Sequence, residues 1–239
     1  MSTRPATLWI ALACCLIGGC RAEPEPQRFP DAHRPVAPIV SDSFSTEDAR
    51  DRLGEAEAVM AFAGIKPGMW VADIGAGEGY YTVRLSPMVG AKGRVLAQDI
   101  VPATRDRLAQ RVDHDGLDNV AVRLGVADDP KLPRGSFDRI FLVHMYHEVT
   151  QPYAFLWHLR AGLKRGGEVI VVDADRPVSH HGMPPRALAC ELGAVGLGEV
   201  RMTRLAGSDA YMAAFRVVSA APEPAAIKPC GAAAEGTGR

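Results

Sequence analysis

The chain has 239 residues, room for one domain with tails or at most two small domains. Hydrophobic residues make up 47% and charged residues 23%, an ordinary globular balance. A net charge of −1, with no block of like charges, leaves no electrostatic case for nucleic acid or an anionic membrane surface.

Arg4 and the free amine precede an apolar run from Leu8 to Ile17. That run is short for a bilayer span, which needs about 20 residues, and suits the core of a secretory signal. It ends in Ile17-Gly18-Gly19-Cys20, which resembles the lipobox of bacterial lipoproteins. The resemblance implies a signal over residues 1–20, a lipid on Cys20, and a chain exported to the periplasmic side. The membrane would then be met only through the N-terminal signal or anchor. Arg21 stands where an aspartate is associated with inner-membrane retention. Residues 21–44 carry Pro24, Pro26, Pro30, Pro35 and Pro38 and read as an extended, poorly ordered linker.

Residues 45–219 alternate between two periods. Ala56, Val59, Met60 and Ala63 fall at helical spacing, after a capping run of Ser45, Thr46, Glu47 and Asp48. Strands are expected at 69–74, 94–98, 120–124, 138–143 and 168–173, with helices at 80–89, 104–113, 152–163 and 185–195. Two more strands, 200–205 and 211–218, follow with no room for a helix between them. The pattern predicts an α/β fold: a Rossmann-like, seven-stranded, mostly parallel sheet with an antiparallel terminal strand and helices on both faces. Residues 220–239 are rich in Ala, Gly and Pro and read as a disordered tail. Of five cysteines, Cys14, Cys15 and Cys20 fall in the leader. Cys190 and Cys230 remain and could pair in an oxidising compartment, although Cys230 falls in that tail.

The strongest local signal is Asp73-Ile74-Gly75-Ala76-Gly77-Glu78-Gly79, between a predicted strand and a predicted helix. Three spaced glycines allow a sharp turn and close approach of a ligand. The helix start offers unpaired amide donors. About twenty residues on, Asp99 ends the second strand, where a carboxylate can accept both hydroxyls of a ribose. The same logic serves nicotinamide cofactors, but the spacing here is GxGxG rather than GxGxxG.

Asp-x-Gly-x-Gly-x-Gly resembles motif I of the class I S-adenosylmethionine-dependent methyltransferases. Ile65-Lys66-Pro67-Gly68, Gly135-Ser136-Phe137-Asp138 and Leu163-Lys164-Arg165-Gly166-Gly167 stand where that superfamily often has such segments. The stretch 128–133, with Tyr146-His147-Glu148 and Pro152, resembles a group of exported predicted methyltransferases. The resemblance implies S-adenosylmethionine as cofactor. Asp73 and the backbone of Gly75, Gly77 and Gly79 would sit by its methionine part, Asp99 by its ribose, and Asp128 or the Ala127 backbone by its adenine. Gly125-Val126 departs from the Gly-Asp dipeptide frequent at that point.

The fourth strand ends in His144-Met145-Tyr146-His147-Glu148, where an acceptor would enter. His147 can take a proton near neutral pH, and Glu148 can orient it or bind a cationic acceptor. Tyr80 and Tyr81 could offer π faces to a sulfonium. A metal reading of His144, His147, Glu148, His180 and His181 is possible, but the spacing is not HExxH, so no metal is expected. The Asn/Asp-Pro-Pro-Tyr pattern of nucleic-acid amine methyltransferases is missing, which favours a small-molecule acceptor over nucleic acid. Two other readings stay open: a non-catalytic cofactor-binding lipoprotein and a nicotinamide-dependent oxidoreductase.

Overall fold

The computed structural model describes residues 27–39 and 46–231. The signal, Cys20, the linker's residues 21–26 and 40–44, and residues 232–239 lie outside these residues. Among the described residues, no helix is long and apolar enough to cross a membrane.

Seven strands form one sheet: β1 (Trp70–Ile74), β2 (Arg94–Asp99), β3 (Val120–Leu124), β4 (Phe137–Val143), β5 (Leu163–Ala174), β6 (Leu197–Arg204) and β7 (Ala210–Val217). Their spatial order is β3-β2-β1-β4-β5-β7-β6. All the pairings from β3 to β5 are parallel, and β7 is antiparallel to both β5 and β6. The last strand of the chain is thus inserted between its two neighbours, and β6 forms the edge.

Alternation along the strands builds two cores. Ala72, Ile140, Leu142, Val169, Val171, Ala213 and Phe215 face one side, against α5 (Pro152–Arg160) and α6 (Pro185–Ala194). Val71, Phe141, Ile170, Val172, Met212 and Ala214 face the other, against α2 (Glu55–Ala63) and α3 (Tyr80–Val89). Central strands covered on both faces must be apolar at both parities, which is why β4 and β5 read as continuous runs. The remaining helices are α1 (Glu47–Arg52) and α4 (Pro102–His114). β1 lies between β2 and β4, and the chain leaves those strands toward opposite halves of the sheet. Such a reversal opens a crevice at the carboxyl ends of the two strands.

Three boundaries differ from the sequence reading. Thr46 caps the first helix, its Oγ1 accepting from Ala49 N, but Gly54 in the left-handed region splits that helix from the next. The helix expected over 152–163 stops at Arg160, and Leu163 opens β5. Both segments read as disordered are packed where they are described. Ala37 is buried and its N–H donates to His147 O (3.1 Å). Arg34 Nε donates to Glu191 Oε1 (2.7 Å), with both side chains 4% exposed, and Tyr146 Oη donates to Glu191 Oε2 (2.7 Å). At the other end, Trp157 Nε1 donates to Pro222 O, Tyr153 Oη accepts from Cys230 N, and Cys190 is bonded to Cys230. The packed unit therefore includes residues 27–39 and runs through Gly231 rather than ending near 219. Neither segment has a period because neither makes a sheet ladder.

Removing Arg34 strands a buried carboxylate between Tyr146 and the core. Arg34→Ala should lower unfolding free energy by about 3 kcal/mol, read from urea denaturation. Arg28→Ala, at an exposed position of the same segment, should change it by less than about 0.5 kcal/mol.

Candidate functional site

The loop after β1 turns through positive φ at Gly75 (68°), Gly77 (57°) and Gly79 (93°). Each glycine answers a different demand. A Cβ on Gly75 would stand 2.9 Å from Met145 Cγ, so the loop and the end of β4 touch there. A Cβ on Gly79 would meet Leu108 Cδ1 at 2.5 Å, where the loop enters α3 against α4. Gly77 has open space around its Cα, and its need is the backbone angle alone. That angle aims the Gly77 N–H at Asp99 Oδ2 (3.0 Å), while Asp99 Oδ1 accepts from Val101 N (2.8 Å). Each carboxylate oxygen retains a second lone pair.

A cavity of about 500 Å3 opens over these groups, within the usual range for small-molecule sites. By the sheet order, Gly75, Gly77, Gln98, Asp99, Val126 and Ala127 line it from the ends of β1, β2 and β3 and the loops after them, and His144, His147, Glu148, Arg176 and His181 from the loops after β4 and β5. Gln98 Oε1 is buried and has no hydrogen-bond partner among the described residues. Its amide fills the space beside Gly125, where a Cβ would lie 1.8 Å from Nε2. This close contact accounts for the glycine before Val126.

Six of the residues singled out from the sequence therefore share one cavity: Gly75, Gly77, Asp99, Ala127, His147 and Glu148. Asp73, Gly79 and Asp128 are not on its wall. Asp73 lies beneath the loop and accepts from Thr82 Oγ1 at 2.6 Å, tying β1 to α3. Burial raises its carboxyl to about 6, against the opposing hydrogen bond from Thr82. Asp128 offers its carbonyl oxygen to His158 Nδ1 (3.1 Å).

His147 is 3% exposed and sits in a short 3-10 turn, Tyr146–Glu148. Its Nδ1 lies 3.0 Å from both oxygens of Asp173, which is fully buried at the end of β5. A carboxylate only accepts, so the ring proton is held on Nδ1 and Nε2 keeps its lone pair. The edge of the ring meets His181, with centroids 5.7 Å apart. One donor atom from each of His147, Glu148 and His181 lies within 4.8 Å of the others. The sequence reading named His147, Glu148 and His181 within a wider set and set it aside because the spacing is not HExxH; the structure brings these three together, His181 arriving from the loop after β5.

Tyr80 lines the cavity and Tyr81 does not, and both rings already carry arginines. Arg50 and Arg84 each stack 3.9 Å from the Tyr80 centroid, and Arg50 also lies over Tyr81. Tyr81 Oη donates to Glu55, which also accepts from Arg50 and meets His144 Nε2 at 3.4 Å. Burial alone would raise Glu55, but His144 and Arg50 outweigh it and hold the carboxyl at about 2. Arg50 and Glu55 line the cavity. No motif marks them, because their segment reads as a helix start facing water.

A model of the methyltransferase domain matches residues 71–167. The ubiquinone/menaquinone biosynthesis C-methyltransferase UbiE of Idiomarina loihiensis is 32% identical over 121 residues, covering 49% of this chain and 47% of that protein. The chain thus spans about half the length of the relatives it matches. A structure of an S-adenosylmethionine-dependent methyltransferase from Aquifex aeolicus superposes with a TM-score of 0.64 at 24% identity, covering 73% of this chain and 100% of that one. The [4+2]-cyclase SpnF shares the fold as well, with a TM-score of 0.60 at 15% identity over 81% of this chain and 90% of that one.

The buried Asp73 carboxyl makes stability depend on pH. The carboxyl is about 6 when folded and 3.8 in the reference state, so the folded chain holds this proton more tightly. Its contribution to stability is fully present below about pH 4 and is lost as pH rises through 6. Between pH 5 and pH 7 the group should change unfolding free energy by about 1 kcal/mol, favouring pH 5. Asp73→Asn should remove that difference in paired urea titrations, while equal pH dependence in both proteins would refute the assignment.

The sheet order, the glycine turn opposite Asp99 and the methyltransferase-domain match over residues 71–167 agree on one fold, that of the S-adenosylmethionine-dependent methyltransferase from Aquifex aeolicus.

Proposed function

We propose that this chain transfers a methyl group from S-adenosylmethionine to a small-molecule acceptor. One observation carries the reading: the glycine loop with Asp99 and the fixed imidazole of His147 line one cavity. The residues fit the cofactor. Asp99 has acceptor capacity for two ribose hydroxyls, Gly75 and Gly77 expose backbone without a Cβ, and the unpaired Gln98 Oε1 is an acceptor awaiting a donor. Val126 and Ala127 line the cavity where Asp128 does not, so the adenine end falls to them rather than to that acid. Bound there, S-adenosylmethionine supplies an already activated methyl group.

The protein's task is then position and proton traffic. His147 lines the cavity and, with Nδ1 committed to Asp173, has Nε2 left to take a proton, while Asp173 fixes the ring and stabilises it when charged. Glu148, beside the Arg50–Glu55–His144 network, gives the acceptor end a polar character suited to an acceptor with a hydrogen-bonding group. Among the described residues, Arg50 and Arg176 on the cavity wall are interspersed with Glu47, Glu55, Asp99, Glu148 and Asp209, a mixed lining that suits a small molecule better than a nucleic acid.

We further propose that the chain is exported and held by lipid on Cys20. The Cys190–Cys230 bond supports this, because such bonds persist in oxidising compartments. Incorporation of labelled palmitate should be lost in Cys20→Ser; equal labelling of both proteins would refute the anchor.

The methyl-transfer reading is tested by calorimetric titration of S-adenosylmethionine and, separately, NAD. Binding of the first alone is expected, and Asp99→Ala should abolish it with the fold retained. His147→Asn, which keeps a donor for Asp173, should leave cofactor affinity unchanged and slow methyl transfer by about 10²–10⁴-fold. Full-rate turnover would remove His147 from the chemistry, and binding of NAD alone would overturn the cofactor assignment.

A further inference from the structure

We propose that His147, Glu148 and His181 form a binding site for a divalent transition-metal ion of the zinc type at the acceptor end of the cavity. Four observations converge. The three side chains each bring a donor atom within 4.8 Å of the other two. All three line the same cavity, so an ion there would be reachable from solvent. His147 Nδ1 is committed to the buried Asp173 carboxylate, leaving Nε2 to coordinate. A carboxylate behind a ligating imidazole is the usual outer partner of such sites, fixing the tautomer and strengthening the donor. Finally, His181 adopts φ 55° and closes a 3-10 turn at 178–180, an uncommon backbone for a residue other than glycine. That turn directs a histidine from the loop after β5 against one from the end of β4.

Two imidazoles and one carboxylate select for zinc, iron, cobalt or nickel over magnesium and calcium, which prefer all-oxygen sites. Three protein ligands leave positions open to the cavity, as in catalytic rather than structural sites. Those positions suit an acceptor that binds through oxygen, nitrogen or sulfur. Arg176 also lines the cavity, and Asp209 lies 3.6 Å from its guanidinium. The ion's presence does not rest on methyl transfer; only its use on an acceptor does. His147 Nε2 cannot both hold an ion and take a proton. With the ion bound, a coordinating acceptor would release its proton to solvent as its anion joins the metal.

The test uses the intact chain stripped with a chelator, then titrated with Zn²⁺ by calorimetry and with Co²⁺ by visible absorption. A single site with cobalt d–d bands is expected. His181→Ala and Glu148→Gln should each lose it, and Asp173→Asn should weaken Zn²⁺ binding about 10–100-fold. His180→Ala, exposed and outside the cluster, should bind as the parent does. Thermal melts identify any variant that fails to fold, and Glu148→Gln, which keeps the shape of the side chain, then decides. No 1:1 binding by the parent, or unchanged binding in folded Glu148→Gln, overturns the site. S-adenosylmethionine titrated into the same samples keeps the two readings apart. Cofactor binding without the ion leaves methyl transfer standing and removes the metal. The ion without the cofactor does the reverse.

Discussion

A carboxylate at the tip of β2 holds the loop that leaves β1. Asp99 accepts from Gly77 on one oxygen and from Val101 on the other, so it fixes both the glycine turn and the start of α4. Without that bond, a glycine-rich turn would have the most conformational freedom of any segment in the chain. With it, the turn becomes a rigid wall beside the crevice that opens where the chain leaves β1 and β4 in opposite directions. The same oxygens that order the loop keep lone pairs for a ligand. Order and binding capacity therefore reside in one side chain.

The sheet was legible because its signals are local and repeated. Apolar runs at both parities mark the central strands, and Gly54, Gly64, Gly79 and Gly90 flank the helices they punctuate. The absence of any helix between residues 197 and 217 forced an antiparallel strand pair. What could not be read were the segments that fold only against a finished surface. Nothing around Arg34 distinguishes it from an exposed arginine in a proline-rich linker. Its partner Glu191 lies on α6, and the pair exists only because Tyr146 delivers its hydroxyl to the other carboxylate oxygen. Cys230 likewise reads as a tail residue until Tyr153 and Cys190 are in place.

The site divides along the same line. Gly75, Gly77 and Asp99 carry a pattern that geometry alone demands, and they line the cavity. Asp73 belongs to the same pattern, yet its carboxylate is spent under the loop on Thr82, so a motif position need not be a contact position. His147 and Glu148 were legible from their place at a strand end. Asp173 was legible only as a strand-end acid, and its bond to His147 required the register that sets β4 beside β5. His181 was legible only as one of several histidines without a ligand spacing, because a pattern along the chain does not pair residues that two separate loops bring together. Arg50 and Glu55 were hidden by a different cause: charged residues near a helix start are usually solvated, whereas here both turn inward onto Tyr80, Tyr81 and His144.

The turn carrying His147 is held from several sides, which bears on what it can do. Asp173 fixes the ring from β5, the strap at Ala37 bonds the His147 carbonyl, and Glu191 on α6 bonds the neighbouring Tyr146. Chemistry that relies on a positioned lone pair needs its support locked by packing and outer hydrogen bonds, since a loose group loses most of its advantage. The proline-rich strap is therefore more than a tether. Its prolines limit the freedom lost on docking, and its Arg34 reaches past the surface to neutralise the one acid that orients Tyr146. Loosening the strap would free the carbonyl of His147 and the hydroxyl network behind it before it disturbed any strand. The imidazole would then lose its aim while the cofactor end, built on β1 and β2, kept its shape.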